Sequence, residues 1–285
     1  MAFTKLQEYI STGDGTAGTL LIPKLILPTL WQEVEKTLIP RELAAYVLSG
    51  FQGSSITQDL VSEGTMNVNQ IGEGAEVNLG AQGYETVTFT PVKYGVAIRI
   101  TREMMEDSQF QLFQSNLATA GKRFAENETK LIITALDGAN ATTSGGDAIT
   151  IANITESMQD LEDNDYMPTH MVIGTEVLRD LRNIDTFVEA DKLGSREMLN
   201  TGFVGTLFGM DVRKVTGSTK ALPSSTYRKY AYIFDRSQAY AIALKRDITV
   251  ENFDMPTFDM QGAVITQRID VKLLRSKAVS KITTA

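Results

Sequence analysis

Gly13, Gly15 and Gly18 have the spacing of a loop that cradles a dinucleotide pyrophosphate. That chemistry needs a strand before the loop and a helix after it. The residues that follow, Thr19 to Pro23, read as extended chain, so the glycines are taken as a pliable arm. Asp163 and Asp165 begin like a calcium loop, but Met167 occupies the next ligand position and no glycine makes the sharp turn. His170 is the only histidine and opens an apolar run. Neither a serine elbow nor a metal partner accompanies it, which points to a structural role. Glu103, Glu106 and Asp107 could in principle do acid–base work. They stand where a helix begins, and there negative charge stabilises by about 0.3–1 kcal/mol. Asn127, Asn140 and Asn153 each open an Asn-x-Thr triplet, but no secretion signal gives these a glycosylation context. With no cysteine in the chain, thiolate chemistry and disulfides are excluded. No catalytic, cofactor-binding or metal site is expected.

The elements around these residues come in an order unusual for a compact enzyme, a long hairpin followed by a long helix. Residues 1–50 read as an arm, with a short strand at Leu20 to Ile22 and a helical pattern from Leu30 to Leu38 that Pro40 closes. It has too little apolar surface to stand alone and should lie on other surfaces. Residues 51–100 read as an extended β-hairpin, glycine-rich in its middle. Its return arm alternates, with Tyr94, Val96, Ile98 and Ile100 on one face and Lys93, Gly95, Ala97 and Arg99 on the other; Pro91 marks an edge or bend. A helix of about 28 residues should follow, capped by Ser108 with Gln111, roughly 40 Å long. Its stripe is Phe110, Phe113, Leu117, Ala120, Phe124, Leu131 and Ala135, and Gly138 is the stop.

Residues 139–244 read as an α/β block. It opens with a Gly/Ser/Thr linker to Asp147 and a helix capped by Asn153 or Thr155 that runs to about Asp163. A strand from His170 to Ile173, a helix capped at Thr175, and strands at Gly209 to Val215 and Tyr230 to Asp235 complete it. The tail returns to β structure, with Ile248 and Val250 alternating, and Ile265, Ile269, Val271 and Leu273 interrupted by Gln267.

Bulk composition narrows the function. Hydrophobic residues at 42% suffice for a real core. A net charge of −8 removes the electrostatic term that drives most nucleic-acid binding. No apolar run of 18 residues or basic–apolar N-terminal leader exists, so a soluble protein of the cytoplasm is expected. Charge is unevenly placed. From Phe51 to Val92 there is no lysine or arginine, while Asp59, Glu63, Glu73, Glu76 and Glu85 are acidic. Arg268, Lys272, Arg275, Lys277 and Lys281 stand near the C-terminus against Asp270 alone. The acidic loop is therefore expected to dock on a neighbouring subunit's basic residues, with Lys122 and Arg123 as further candidates. Alternatively, both charge sets are merely solvated faces.

Five stretches in order resemble one family. They are Arg102 to Ser108 with the helix ending at Leu136-Asp137-Gly138; Met171 to Thr175; Gly205-Thr206-Leu207-Phe208-Gly209-Met210-Asp211-Val212; Tyr232 to Tyr240 with Arg246 to Val250; and Arg268-Ile269-Asp270 with Ala278-Val279. Together they resemble the HK97-fold major capsid proteins of tailed double-stranded DNA viruses. The resemblance implies an α+β, HK97-like capsid fold. Its parts would be an N-terminal arm (1–50), an extended β-hairpin loop (51–100), a long spine helix of the peripheral domain (101–138), an axial α/β domain (139–244) and peripheral β-sheet return strands (245–285). It implies a shell of hexamers and pentamers in the virion, assembled in the host cytoplasm, that encloses double-stranded DNA rather than binding it specifically. A portal protein and a scaffold would be partners, a decoration protein a further one, and no membrane is involved. Met1 reads as a native start, which favours a scaffold made as a separate protein. Some members cross-link through a loop lysine and a neighbour's asparagine, and this loop has no lysine. An encapsulin-like compartment shell of the same fold is the alternative.

Overall fold

The computed structural model describes residues 39, 41–62, 68, 70–71, 73, 76, 83–101, 103, 111–184, 203–215 and 221–284. The strand and helix expected in the arm, the Gly13–Gly18 triplet, Glu63 and the Ser108 cap lie outside these residues. Two sheets, one hairpin, one long helix and two shorter helices are the main elements of the described residues.

The first sheet has the order β1-β10-β11-β4, with β1 at Val47–Ser49, β4 at Val92–Thr101, β10 at Tyr240–Met255 and β11 at Met260–Leu273. β10 and β11 form one long antiparallel ribbon, whose register shifts between Leu244 and Thr249. On one side of that bulge β10 pairs with β1, and beyond it β11 carries β4 along its other edge. Bulges bend and twist a ribbon, so this one changes direction where it changes company.

Helix α1, Gln111–Leu136, lies across both halves. Leu117, Ala120 and Phe124 pack on Ile98, Ile248, Ala263 and Ile265. Further on, Ile132, Ile133 and Leu136 join a separate core with Ile242, Ile269 and Tyr232. The expected stripe holds at Leu117, Ala120 and Phe124, but its second half is centred one residue later than Leu131 and Ala135, which are only partly buried. The helix faces two cores in succession, and its buried side rotates between them. Gly138 does follow the helix, but without a left-handed φ. Its missing Cβ instead admits the Leu273 side chain, 3.2 Å from where a Cβ would stand.

The second sheet has the order β5-β12-β9-β6-β8-β7. Its strands are β5 Ala141–Ser144, β6 His170–Ile173, β7 Phe203–Leu207, β8 Met210–Lys214, β9 Tyr230–Phe234 and β12 Val279–Thr283. The Gly/Ser/Thr stretch expected to be a linker is therefore partly strand; β5 gains its place through backbone pairing with β12. β7, not expected, hairpins onto β8. Helix α2, Ile151–Glu162, starts one turn earlier than expected. Its N-cap is Thr150, and Asn153 closes a capping box as the third helical residue. Helix α3, Thr175–Leu181, is capped by Gly174 without a side-chain bond. A Cβ on Gly174 would meet the Arg228 carbonyl oxygen at 2.2 Å, so close backbone approach demands glycine there.

Two expectations about the ends of the chain are corrected. A boundary at residue 244 cuts through β10. β12 pairs in the six-stranded sheet, apart from the rest of residues 245–285.

Phe124 is 3% exposed between α1 and the β4–β11–β10 ribbon. Phe124→Ala is expected to cost about 3–5 kcal/mol, measured by chemical denaturation. A loss below about 1 kcal/mol would mean that α1 is not packed on that ribbon.

Candidate assembly surface

Strand β2, Ile56–Val61, pairs with β3, Tyr84–Phe89, in a sheet of two strands. The hairpin's return strand is thus Tyr84–Phe89. The alternating run 93–100, expected as the return arm, belongs to β4 and pairs with β11. Pro91 lies in the bend between them.

Alternation gives the hairpin two faces. Phe89 is fully buried against Ala241, Ala243 and Leu274, with Ile56, Leu60 and Val87 packed around it. The opposite face carries Thr57, Asp59, Val61, Tyr84, Thr86 and Thr88. Val61 and Tyr84 are cross-strand partners there, 52% and 69% exposed. A two-stranded ribbon with an apolar pair in water is marginal alone.

Charged side chains tie the hairpin root to the first sheet. The Thr90 N–H donates to Asp270 Oδ2 at 2.8 Å, and Arg268 Nη2 donates to the Pro91 carbonyl at 3.3 Å. Arg275 Nη2 donates to the Val61 carbonyl at 2.7 Å, and Lys245 donates to the carbonyl of Gly53. Between the hairpin and the strand end lies a half-open cleft of about 360 Å³ lined by Ser62, Glu85, Arg275 and Lys277 among others.

The structure therefore brings Glu85 close to Arg275 and Lys277 within one chain. Asp59, Glu73 and Glu76 are exposed, as are Lys122 and Lys272. Arg123 is engaged with Glu126 of its own helix at 2.6 Å, while Arg268 serves the hairpin root and Arg275 the loop end of β2. These arginines hold their own subunit's hairpin, a role that reading the sequence did not assign to them.

Two polar clusters were not foreseen. In the second half of α1, Glu128 is 1% exposed and takes a two-pronged bond from Arg41, Nε to Oε2 at 3.1 Å and Nη2 to Oε1 at 2.5 Å. Arg41 also reaches Asp247 Oδ1 at 3.2 Å, and Gln267 donates to Glu128. Burial works against the guanidinium charge, but the two carboxylates outweigh it and hold the Arg41 pKa above its usual value. The interruption of the β11 pattern at Gln267 is thereby explained. A hint lay in Glu126-Asn127-Glu128-Thr129, four polar residues inside an amphipathic helix.

The second cluster closes the helix end. Asp137 accepts from Tyr227 at 2.7 Å, Tyr232 at 3.2 Å and Lys281 at 2.6 Å. Lys281 also lies 4.2 Å above the Tyr230 ring. Burial pushes the Asp137 carboxyl up, but Lys281 and the two hydroxyls win and hold it below its ordinary value. The Tyr227 hydroxyl is pushed up to about 12 by burial and by Asp137, so it stays a neutral donor.

The other residues read for chemistry have structural places. His170 stacks on Phe234 with Nδ1 3.0 Å from Thr169 Oγ1, and burial lowers its pKa. Asp163 is the C-cap of α2, and Asp165, with φ of 64°, turns the chain after it.

Residues 84–282 match the family described as phage capsid protein. The chain belongs to that family. Solved structures agree in fold at low sequence identity. A chain of Mycobacterium phage Adephagia superposes with a TM-score of 0.65 at 13% identity, covering 88% of this chain and 91% of that one. The capsid structure of the Cyanophage P-SCSP1u gives 0.64 at 14% identity, with 88% and 89% covered. The asymmetric unit of the bacteriophage PhiM1 mature capsid gives 0.62 at 10%, with 87% of each. No curated protein matches in sequence. The capsid-family chain has the HK97-like fold, in an α+β arrangement.

Asp137 makes the stability of this capsid protein depend on pH. Its folded pKa is depressed, so its contribution is complete above the unfolded value of about 3.9 and fades as pH falls through the folded one. Asp137→Asn should therefore melt lower than wild type at pH 7, and the gap should narrow below about pH 4. An equal gap at pH 7 and pH 3 would contradict this role.

Proposed function

We propose that this chain is the major capsid protein of a tailed virus, assembling with itself as hexamers and pentamers into an icosahedral shell around double-stranded DNA. Membership of the phage capsid family carries the reading. The hairpin supports it, because its outer face leaves Val61 and Tyr84 in water on a subunit that has buried cores of its own. Shells repeat each contact many times, so individually modest contacts suffice. With a net charge of −8 the protein encloses DNA without gripping it. Its role is structural, in the virion, with assembly in the host cytoplasm. A portal protein and a scaffold are the expected partners, and a decoration protein would bind the finished shell.

The test is size and contents. The purified full chain, examined by sedimentation and electron microscopy, should form closed shells or ring-shaped capsomers. A monomer or small oligomer under all assembly conditions would refute the proposal. Shells from infected cells should hold nuclease-protected DNA; enzyme cargo in its place would move the reading to an encapsulin-like compartment. Residues 51–92 contain no lysine. Mature shells boiled in denaturant should therefore run as a single monomer band, and a covalent ladder would show that the subunits are joined chemically.

A further inference from the structure

The long ribbon has its helix and its hairpin on opposite sides. Ile242 of β10 joins the core of Ile132 and Leu136 from α1, while its neighbours Ala241 and Ala243 pack on Phe89 of the hairpin. Successive residues of a strand point to opposite faces, so the sheet itself separates α1 from the hairpin root. In a closed shell, one of these two sides looks inward.

The two sides differ in charge. The hairpin has no cation from Phe51 to Val92, and its Asp59 and Glu85 are exposed. Phosphate is repelled there. The side of α1 that turns away from the ribbon is the reverse. Thr119, Lys122, Lys130 and Thr134 are exposed, at helical steps opposite Leu117 and Phe124. No open carboxylate stands among them. Glu126 is 1% exposed and held by Arg123, and at the helix end Asp137 is held by Lys281. The ammonium groups of Lys122 and Lys130 make no ion pair with any described residue. In a chain of net charge −8 this surface is a local exception.

Eight residues separate the two lysines, about 12 Å along the helix axis. A DNA major groove is about as wide, so the two long side chains can reach phosphates on its two rims. Lysine meets phosphate as a point charge and reads no sequence. Two such contacts are weak alone, but a shell repeats them in every subunit.

We propose that the outward face of α1, through Lys122 and Lys130, lines the inside of the shell and meets the phosphate backbone of the enclosed double-stranded DNA. The inference rests on the shell reading and deepens it, by naming the side of the subunit that the genome touches. The negative charge elsewhere keeps this a light, sequence-blind contact.

The chain has no cysteine, so an introduced one can carry a photoactivatable group at a single point. DNA-filled shells of Lys130→Cys, and control shells of Asp59→Cys, are labelled with a small maleimide carrying that group and irradiated. DNA should become joined to position 130 and not to position 59. Independently, the unassembled full chain is titrated with a short DNA duplex at several salt concentrations. Lys122→Gln with Lys130→Gln should lower the slope of log affinity against log salt by about 2, with the melting of the subunit unchanged, and Lys122→Arg with Lys130→Arg should keep the slope. DNA joined through position 59 or through neither position, or a slope indifferent to the two lysines, overturns the contact and leaves the shell reading intact. If Lys122→Glu with Lys130→Glu abolishes shells although the subunit melts as wild type does, this face meets another protein, which also overturns it. Wild-type shells that hold no DNA would refute the shell reading itself, and this contact with it.

Discussion

A carboxylate buried about two thirds of the way along a 26-residue helix is the constraint on which the subunit's shape rests. Glu128 is 1% exposed. An unpaired charge there would cost several kcal/mol, so the chain must bring a cation to it. Arg41 does so with a two-pronged bond, and Gln267 adds a further donor. Because Arg41 also holds Asp247, the segment before β1, the middle of α1 and both strands of the long ribbon meet at one point. That point lies at the ribbon's bulge, where its companions change from β1 to β4.

From this junction the rest follows in order. Apolar contacts on one side of Glu128 hold the β4 half of the ribbon, and those on the other side hold the β1 half and reach into the second sheet through Tyr232 and Phe234. Asp137 finishes the helix by gathering Tyr227, Tyr232 and Lys281, which ties α1 to β9 and β12. With one face of the ribbon taken by α1, only the other remains for the hairpin root and for partners. The hairpin is anchored to that face through Phe89, Asp270 and Arg268.

Much of this was legible in the residues. Leu117, Ala120 and Phe124 recur at helical steps, and the strand at His170–Ile173 and the Tyr230 strand stand out by apolar content. The order of five weak motifs pointed to the family that residues 84–282 match. What escaped was decided by distant partners. β4 alternates as a hairpin arm would, yet its partner β11 comes much later in the chain. β5 looks like a linker because its place comes from backbone pairing with β12, not from side chains. Nothing local tells Arg41 that it will meet Glu128, 87 residues on. The uneven charge of the 51–92 segment and the C-terminal stretch was visible, but Arg268 and Arg275 turned out to bond the hairpin of their own subunit, at its root and at the loop end of β2.

The central claim is that Glu128 is tolerated in the core because Arg41 pairs with it. A double-mutant cycle with Arg41→Ala and Glu128→Gln, followed by chemical denaturation of the subunit, tests this most directly. Arg41→Ala alone should be strongly destabilising, by about 3 kcal/mol or more, since it leaves a buried charge behind. Neutralising that charge should recover part of the loss, so that Glu128→Gln stabilises the Arg41→Ala background with a coupling of roughly 1.5–3 kcal/mol. Effects that add within about 0.5 kcal/mol, with Glu128→Gln equally harmful in both backgrounds, would contradict the account.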